Sequence, residues 1–204
     1  MKISNTYDIK DKFNDILIID NTANIEIKKS DINETKVVCC VRKKRYAREI
    51  HVENSTLVIN KKPKKWWMFL TPSIDTANIT IFIPDNIIEN VSIKINTGRI
   101  TFSNLTIEKD VNIKVNTANT IIDNTIITGK ISIKTNTGIV NFNNSDANEL
   151  FIKTNTGKVG GTLLSNKAFV IKTNTGKVRI PTTFGSNKCE IISNTGSINF
   201  KIKE

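Results

Sequence analysis

The chemistry this sequence offers lies in its cations and tryptophans. Lys94, Lys114, Lys134, Lys153 and Lys172 each stand inside the same short phrase, Ile-Lys-x-Asn-Thr, at intervals of 20, 20, 19 and 19 residues. Arg99, Lys158 and Lys177 each follow one of these lysines by five positions. A row of like charges at a fixed spacing repels itself. Its field attracts polyanions such as anionic glycans, teichoic-acid-like polymers or anionic lipid. The same row also serves as a solvated face that keeps strands from pairing at their edges. A second constellation is the run KKPKKWWMFL over residues 61–70, in which lysines precede Trp66 and Trp67. Tryptophan favours membrane interfaces and the centres of protein interfaces. Lysines beside it add about 1 kcal/mol each near an anionic headgroup layer. The competing role for this run is a loop whose tryptophans fold back to cap the fold.

Other chemistries are poorly supplied. The single histidine, His51, lies in a charged stretch, which disfavours a histidine metal site or a Ser/His triad. Asp110, Asp123, Asp146, Glu149 and Glu190 fall at unmatched repeat positions and do not form the acid pair that glycan-cleaving β-helices use. No phosphate loop or nucleophile elbow is present. Cys39 and Cys40 are adjacent, and Cys189 is distant, so three reduced thiols are expected rather than a disulfide framework. The expectation is therefore no catalytic residue, no metal and no cofactor. Nucleic acid ranks last among partners, because no recognised motif accompanies the charge.

The elements that position these residues follow from composition and repeat. The 204 residues carry a formal net charge of +11 and include 35 Ile, 27 Asn and 24 Thr. Ile and Thr favour strands and Asn favours turns, so the bias points to an all-β chain. The Asn of successive Asn-Thr-Gly or Asn-Thr-Ala triplets falls at 96, 116, 136, 155, 174 and 194. Six copies at a period of about 20 mark a stacked repeat. In the first copy Val91, Ile93 and Ile95 alternate with Ser92 and Lys94. After the triplet, Ile100 and Phe102 alternate with Arg99 and Thr101. The triplet is a corner, with Gly98 supplying a positive φ. One copy cannot bury its apolar face alone, but stacked copies can.

Aligned copies give inward columns. One reads Ile93, Ile113, Ile133, Ile152, Ile171, Ile191, and another reads Phe102, Ile122, Phe142, Gly161, Ile180, Phe200. The Asn column is expected to form a ladder of stacked amides. Thr135, Thr154, Thr173 and Ser193 share an inward column with Ile95 and Val115, which argues against an ice-binding array. Parallel stacking in chain order predicts a single-domain parallel β-helix over 1–204, right-handed as parallel crossovers are. Residues 1–84 form irregular N-terminal coils, with loops at 42–56 and 61–74, and 85–204 form six regular coils. Lys201 to Glu204 would then blunt the exposed last rung.

The order of these pieces resembles the DUF4097-type adhesin family, β-strand repeat proteins common in Firmicutes. The similarity runs from the strand pair around Ile16 to Ile27, through Leu57-Val58-Ile59, KKPKKWWMFL and the strand ending at Pro84, to the IKTNTGKV coils. It implies a β-helix-like fold, a binding rather than catalytic role, and no established catalytic residues. No run of 18 apolar residues occurs, and the first twenty residues do not read as a signal peptide, so the default expectation is a cytoplasmic chain, with envelope association left open.

Two functional classes follow. The first is a non-enzymatic binding or scaffold protein, whose lysine row and Trp66-Trp67 segment meet an anionic glycan, an anionic membrane surface or an envelope protein. The alternative is a bactofilin-like polymer in which solenoids join end to end.

Overall fold

Ile, Val and Phe alternating with Lys, Ser, Thr and Asn can only form strands with one dry face. The computed structural model describes residues 3–61, 75–84, 88–182 and 185–204. Over them the chain is all-β, with one short 3-10 turn at Lys44–Tyr46. The strands are β1 (Ile3–Ile9), β2 (Asp15–Ile19), β3 (Thr22–Lys29), β4 (Thr35–Val41), β5 (Arg48–Glu53), β6 (Thr56–Lys61), β7 (Ala77–Ile83), β8 (Asn90–Ser103) and β9 (Thr106–Ile107). They continue as β10 (Val111–Asp123), β11 (Ile126–Thr137), β12 (Val140–Thr156), β13 (Val159–Leu163), β14 (Ala168–Thr175), β15 (Val178–Arg179), β16 (Lys188–Thr195) and β17 (Ile198–Ile202). The charged stretch after Val41, expected as a connection, contains β5. Residues 62–74 of the second expected loop lie outside the described residues.

Repeats pair in parallel and in register, Val91 with Val111 with Ile131 with Leu150. The sheet stays open and bends at each triplet, which gives a solenoid-like stack with two long faces. The first face runs β5, β6, β2, β8, β10, β11, β12, β16, β14. The second runs β1, β4, β7, β3, β8, β10, β12, β13, β17, β15. A short third side joins Thr106–Ile107, Ile126–Ile127 and Asp146–Ala147.

Two kinds of corner are set by residues at positive φ. At the first, Gly138 has φ +148°, and a Cβ there would lie 1.8 Å from the Ala118 carbonyl oxygen of the rung beneath. Only glycine satisfies both the backbone angle and the close approach. The second corner was not recognised in the sequence. Asn104, Asn124 and Asn144 adopt left-handed φ of 56°, 43° and 44°, which asparagine tolerates better than most residues.

Stacking does not follow chain order at either end. β2 and β3 lie between β8 on one side and β6 and β7 on the other, so the first coil is tucked between later ones. At the opposite end Cys189 pairs with both Leu150 and Phe169. The sixth copy therefore sits between the fourth and the fifth. Only Ile198 and Asn199 of β17 lie between β13 and β15; among the described strands Phe200, Lys201 and Ile202 pair with β13 alone, so Lys201 keeps an open edge at this end.

Side-chain fit accounts for the exchange. Gly161 leaves a hole in the column that holds Phe142, and Phe200 fills it from the next rung, with ring centroids 6.1 Å apart. Phe169 closes on Phe200 from the far side at 5.9 Å. Both distances suit tilted aromatic pairs, which add about 0.5–1.5 kcal/mol beyond their buried area.

This order separates two substitutions that equal stacking would make alike. Phe200 is 2% exposed and Ile180, in the same column, is 38% exposed. Phe200→Ala should cost about 3–5 kcal/mol. Ile180→Ala should cost less than about 1.5 kcal/mol, because most of its surface is not sealed. Urea unfolding midpoints of the two variants measure the difference.

Candidate functional site

The lysine row is placed by strand alternation. Ile93, Ile113, Ile133 and Ile152 point inward and are at most 1% exposed, so the next residue must point out. Register then brings Lys94, Lys114, Lys134 and Lys153 onto four consecutive rungs, about 4.8 Å apart. Lys172 is not the fifth neighbour. Ile192 of the inserted sixth copy stands between Lys153 and Lys172. At the other end of the row Ile19 pairs with Lys94. The row is thus four contiguous cations with an isoleucine at each end.

A parallel row of asparagines lies two residues on. Asn174 donates through Nδ2 to Asn194 Oδ1 at 2.5 Å, and Asn194 donates to Asn155 Oδ1 at 3.0 Å. The ladder thus passes through the transposed coil and ties it to both neighbours. Between the two rows runs a groove of about 1020 Å³ that extends along the stack. Its floor changes character with height. Ile95 and Val115 are followed by Thr135, Thr154 and Ser193, all at most 8% exposed. The hydroxyls of Thr154 and Ser193 are buried without a hydrogen-bond partner.

The electrostatics are one-sided along the row. No carboxylate among the described residues forms an ion pair with Lys94, Lys114, Lys134 or Lys153. Lys134 stands 5.8 Å from the Phe151 ring centroid, which steadies its stem. Apart from the buried Asp20, which lines one end of the groove and pairs with Arg48, acids appear only beside the row. Glu149 pairs with Lys130 at 3.7 Å, and Glu190 pairs with Lys188 at 2.7 Å. The hydrogen bond from Lys188 holds the Glu190 carboxyl below the ordinary carboxylate range.

The remaining expected site residues are dispersed. Arg99 lines a separate groove beyond the corner, beside Asn119 and Glu26. The Lys158 and Lys177 carbonyls accept from Val140 and Ile198, and Ser197 lies between their rungs, so these two do not extend the row. Trp66 and Trp67 lie outside the described residues. His51 is exposed on β5, 3.6 Å from Glu53. Asp123, Asp146 and Glu149 do not converge, and no cluster of three or more His, Cys, Asp or Glu able to hold a metal ion occurs among the described residues. No described helix is long and apolar enough to cross a membrane.

Two buried charged groups escaped the sequence analysis. Arg48 has a fully buried side chain and reaches Asp20 with Nε 2.5 Å from Oδ2 and Nη2 3.1 Å from Oδ1. Asp75 Oδ2 lies 3.8 Å from Nη1, beyond hydrogen-bond reach. Lys167 is 1% exposed, with Nζ 2.7 Å from Asp146 Oδ1 and 2.7 Å from the Ala147 carbonyl oxygen. The only sequence signal was position. Asp20 falls where other coils place Ile95 or Val115, and an acid in an inward column demands a partner.

A family model described as Toastrack DUF4097 matches residues 13–204. Two solved structures are similar over nearly the whole chain. A putative cell adhesion protein from Clostridium sporogenes is 12% identical, covers 100% of both chains and has a TM-score of 0.53. A putative adhesin from Bacteroides fragilis is 16% identical, covers 98% of this chain and 97% of its own, and also has a TM-score of 0.53. At these identities the likeness concerns the fold. No protein of curated function matches the sequence.

Burial also governs the thiols. Cys189 is 0% exposed, and burial pushes its thiol up to about 12, with Lys167 opposing that shift. Burial raises Cys39 as well. The unfolded chain ionises Cys189 near pH 8.5, whereas the folded chain holds it neutral. Stability should therefore be intact below about pH 8.5 and decline as pH rises towards 12. Cys189→Ala should flatten that decline when thermal midpoints are compared between pH 8 and 10.

Proposed function

The chain belongs to the Toastrack DUF4097 family, and from that premise we propose that it is a non-enzymatic binding protein whose basic groove receives an anionic polymer or anionic surface. The whole chain, residues 1–204, acts as one domain, a right-handed solenoid that holds the groove rigid. The observation that carries this reading is the run Lys94, Lys114, Lys134 and Lys153, four adjacent cations without carboxylate partners among the described residues. Four such charges about 4.8 Å apart gain nothing for folding and repel one another. A linear polyanion laid along the groove relieves the repulsion on every rung at once. Weak contacts repeated along one ligand combine through effective concentration. The asparagine row opposite supplies amide donors, and Lys172 continues the groove beyond Ile192.

Ligands of two kinds meet this description, an anionic glycan-type polymer and the headgroups of an anionic membrane. The two structural neighbours are described as a putative cell adhesion protein and a putative adhesin, which supports contact with an envelope component. Trp66 and Trp67 with their flanking lysines form the second contact in this proposal, one suited to a membrane interface.

Co-sedimentation with vesicles, neutral or containing phosphatidylglycerol, and titration with polygalacturonate test the proposal. The wild-type chain should bind the anionic probes, and binding should fall steeply as salt is raised. Lys114→Glu/Lys134→Glu should weaken binding at least tenfold, on the basis of about 1 kcal/mol per lysine near an anionic surface. Its unfolding midpoint should not drop, because two exposed repulsive contacts are removed. Loss of vesicle binding in Trp66→Ala/Trp67→Ala, with polygalacturonate binding kept, would assign the tryptophans to the membrane contact. Equal binding by wild type and the lysine variant would refute the groove.

A further inference from the structure

Among the described residues, the two ends of the stack are cut surfaces of the core. The half-buried apolar residues packed against it include Tyr7, Ile9, Ile50 and Val52 at one end, and Phe169 and Ile171 at the other. Val178 and Ile180 stand in columns whose other apolar members are 0–2% exposed, yet they are 39% and 38% exposed themselves. Backbone pairing is also incomplete. Among the described strands, β14 pairs along one edge with β16, and β15 with β17. At the far end β5 pairs with β6, and β1 with β4.

An unpaired edge backed by exposed apolar side chains is a template for another strand, and proteins that remain monomeric blunt it with charge or with a covering segment. Of the charged segment Lys201 to Glu204, Lys201 stands on the part of β17 that pairs with β13 alone among the described strands, and it adds positive charge at this end. The two edges differ in sign. β14 and β15 carry Lys172 and Arg179, with Lys177 between them, and no acid. β5 itself carries Glu49 and Glu53 beside the buried Arg48, and β1 carries Asp8, while the exposed Arg42, Lys43, Lys44 and Arg45 lie in the segment that leads into β5.

We propose that a second copy of this chain covers each end, with the β14–β15 edge of one copy docking on the β5–β1 edge of the next. Strand positions allow this without rotating the copies out of alignment. β14 and β5 are the two outermost strands of the first face, and β15 and β1 are those of the second. A copy translated along the stack therefore brings β5 against β14 and β1 against β15. β5 runs antiparallel to β6, so its joint with β14 is antiparallel. The joint is heterologous, and repeated joints build an open filament. Apart from Lys172, which belongs to both, the proposal does not draw on the lysine groove, whose residues project sideways from the first face.

Sedimentation velocity of the full chain tests it, with one variant blocked at each end. Wild type should form species above the 22.9 kDa monomer that grow with concentration. Val178→Lys/Ile180→Lys and Glu49→Lys/Glu53→Lys should each be monomeric alone. Their equimolar mixture should give a two-chain species and nothing larger, because only one complementary pair of ends survives. Lys177→Glu/Arg179→Glu provides a second variant at the first end that leaves the apolar residues in place, and circular dichroism verifies the fold of each. Lys114→Glu/Lys134→Glu should assemble as wild type does, which separates failure of this proposal from failure of the groove. A wild-type chain that stays monomeric into the millimolar range would overturn the proposal. So would assembly that persists in Glu49→Lys/Glu53→Lys, since that pattern means pairing of like ends.

Discussion

From Val91 to Leu150, residues about twenty positions apart sit one rung apart and share a column. Parallel register imposes this, and it leaves a position no freedom to be chosen alone. An inward side chain meets copies of its own kind above and below, so Ile93, Ile113, Ile133, Ile152 and Ile191 seal one another. Each fully buried side chain of this size is worth about 1.5–3 kcal/mol against exposure. The same rule acts on the outside without a comparable reward. Once Ile93 is inward, Lys94 must be outward, and register lines up three more lysines with it. The core therefore dictates that outward residues form rows, and it leaves open only what those rows contain.

A row of four lysines is a costly choice for a surface that needs only solubility. Alternating acids and lysines on successive rungs would attract one another, as Lys130 and Glu149 do beside the row. Water and salt screen the repulsion, with a Debye length near 8 Å at physiological ionic strength. That distance exceeds one rung, so neighbours still feel each other. The groove beside the row sharpens the field, because its floor of Ile95, Val115 and Thr135 excludes water from one side.

The period in the sequence was sufficient to read the columns, the glycine corner, the asparagine ladder over Asn155, Asn174 and Asn194, and most of the core, though not the exposure of Val178 and Ile180. It was insufficient to read the stacking order, because every copy presents nearly the same pattern to its neighbours. Order is decided by differences between copies that pattern analysis averages away. Gly161 in one copy and Phe200 in another are such a pair, a missing side chain and one that fills its place. The exchange displaced Lys172 from the lysine row, since Ile192 came between. β5 was missed because Arg48-Glu49-Ile50-His51-Val52-Glu53 carries two apolar residues among four charged or polar ones. The second corner was missed although Asn104, Asn124 and Asn144 recur at a spacing of 20, because their neighbours form no common triplet.

Near-identical copies raise a problem that apolar packing does not solve, since one isoleucine column accepts another in many orders. The buried charges lie where the order departs from the chain. Asp20 follows β2 in the coil tucked between later ones, and Arg48 comes from β5 at that end of the stack. Lys167 lies at the crossing from the fourth copy to the displaced fifth, and its partner Asp146 belongs to the rung before. A buried ion pair adds little against an apolar replacement, but an arrangement that strands one partner loses about 3–5 kcal/mol. An order that parted Arg48 from Asp20, or Lys167 from Asp146, would incur that loss even if every apolar column remained filled. The isoleucines make the stack stable, while the fit of Phe200 over Gly161 and the buried Arg48–Asp20 pair select one sequence of rungs from several that the isoleucines alone would accept.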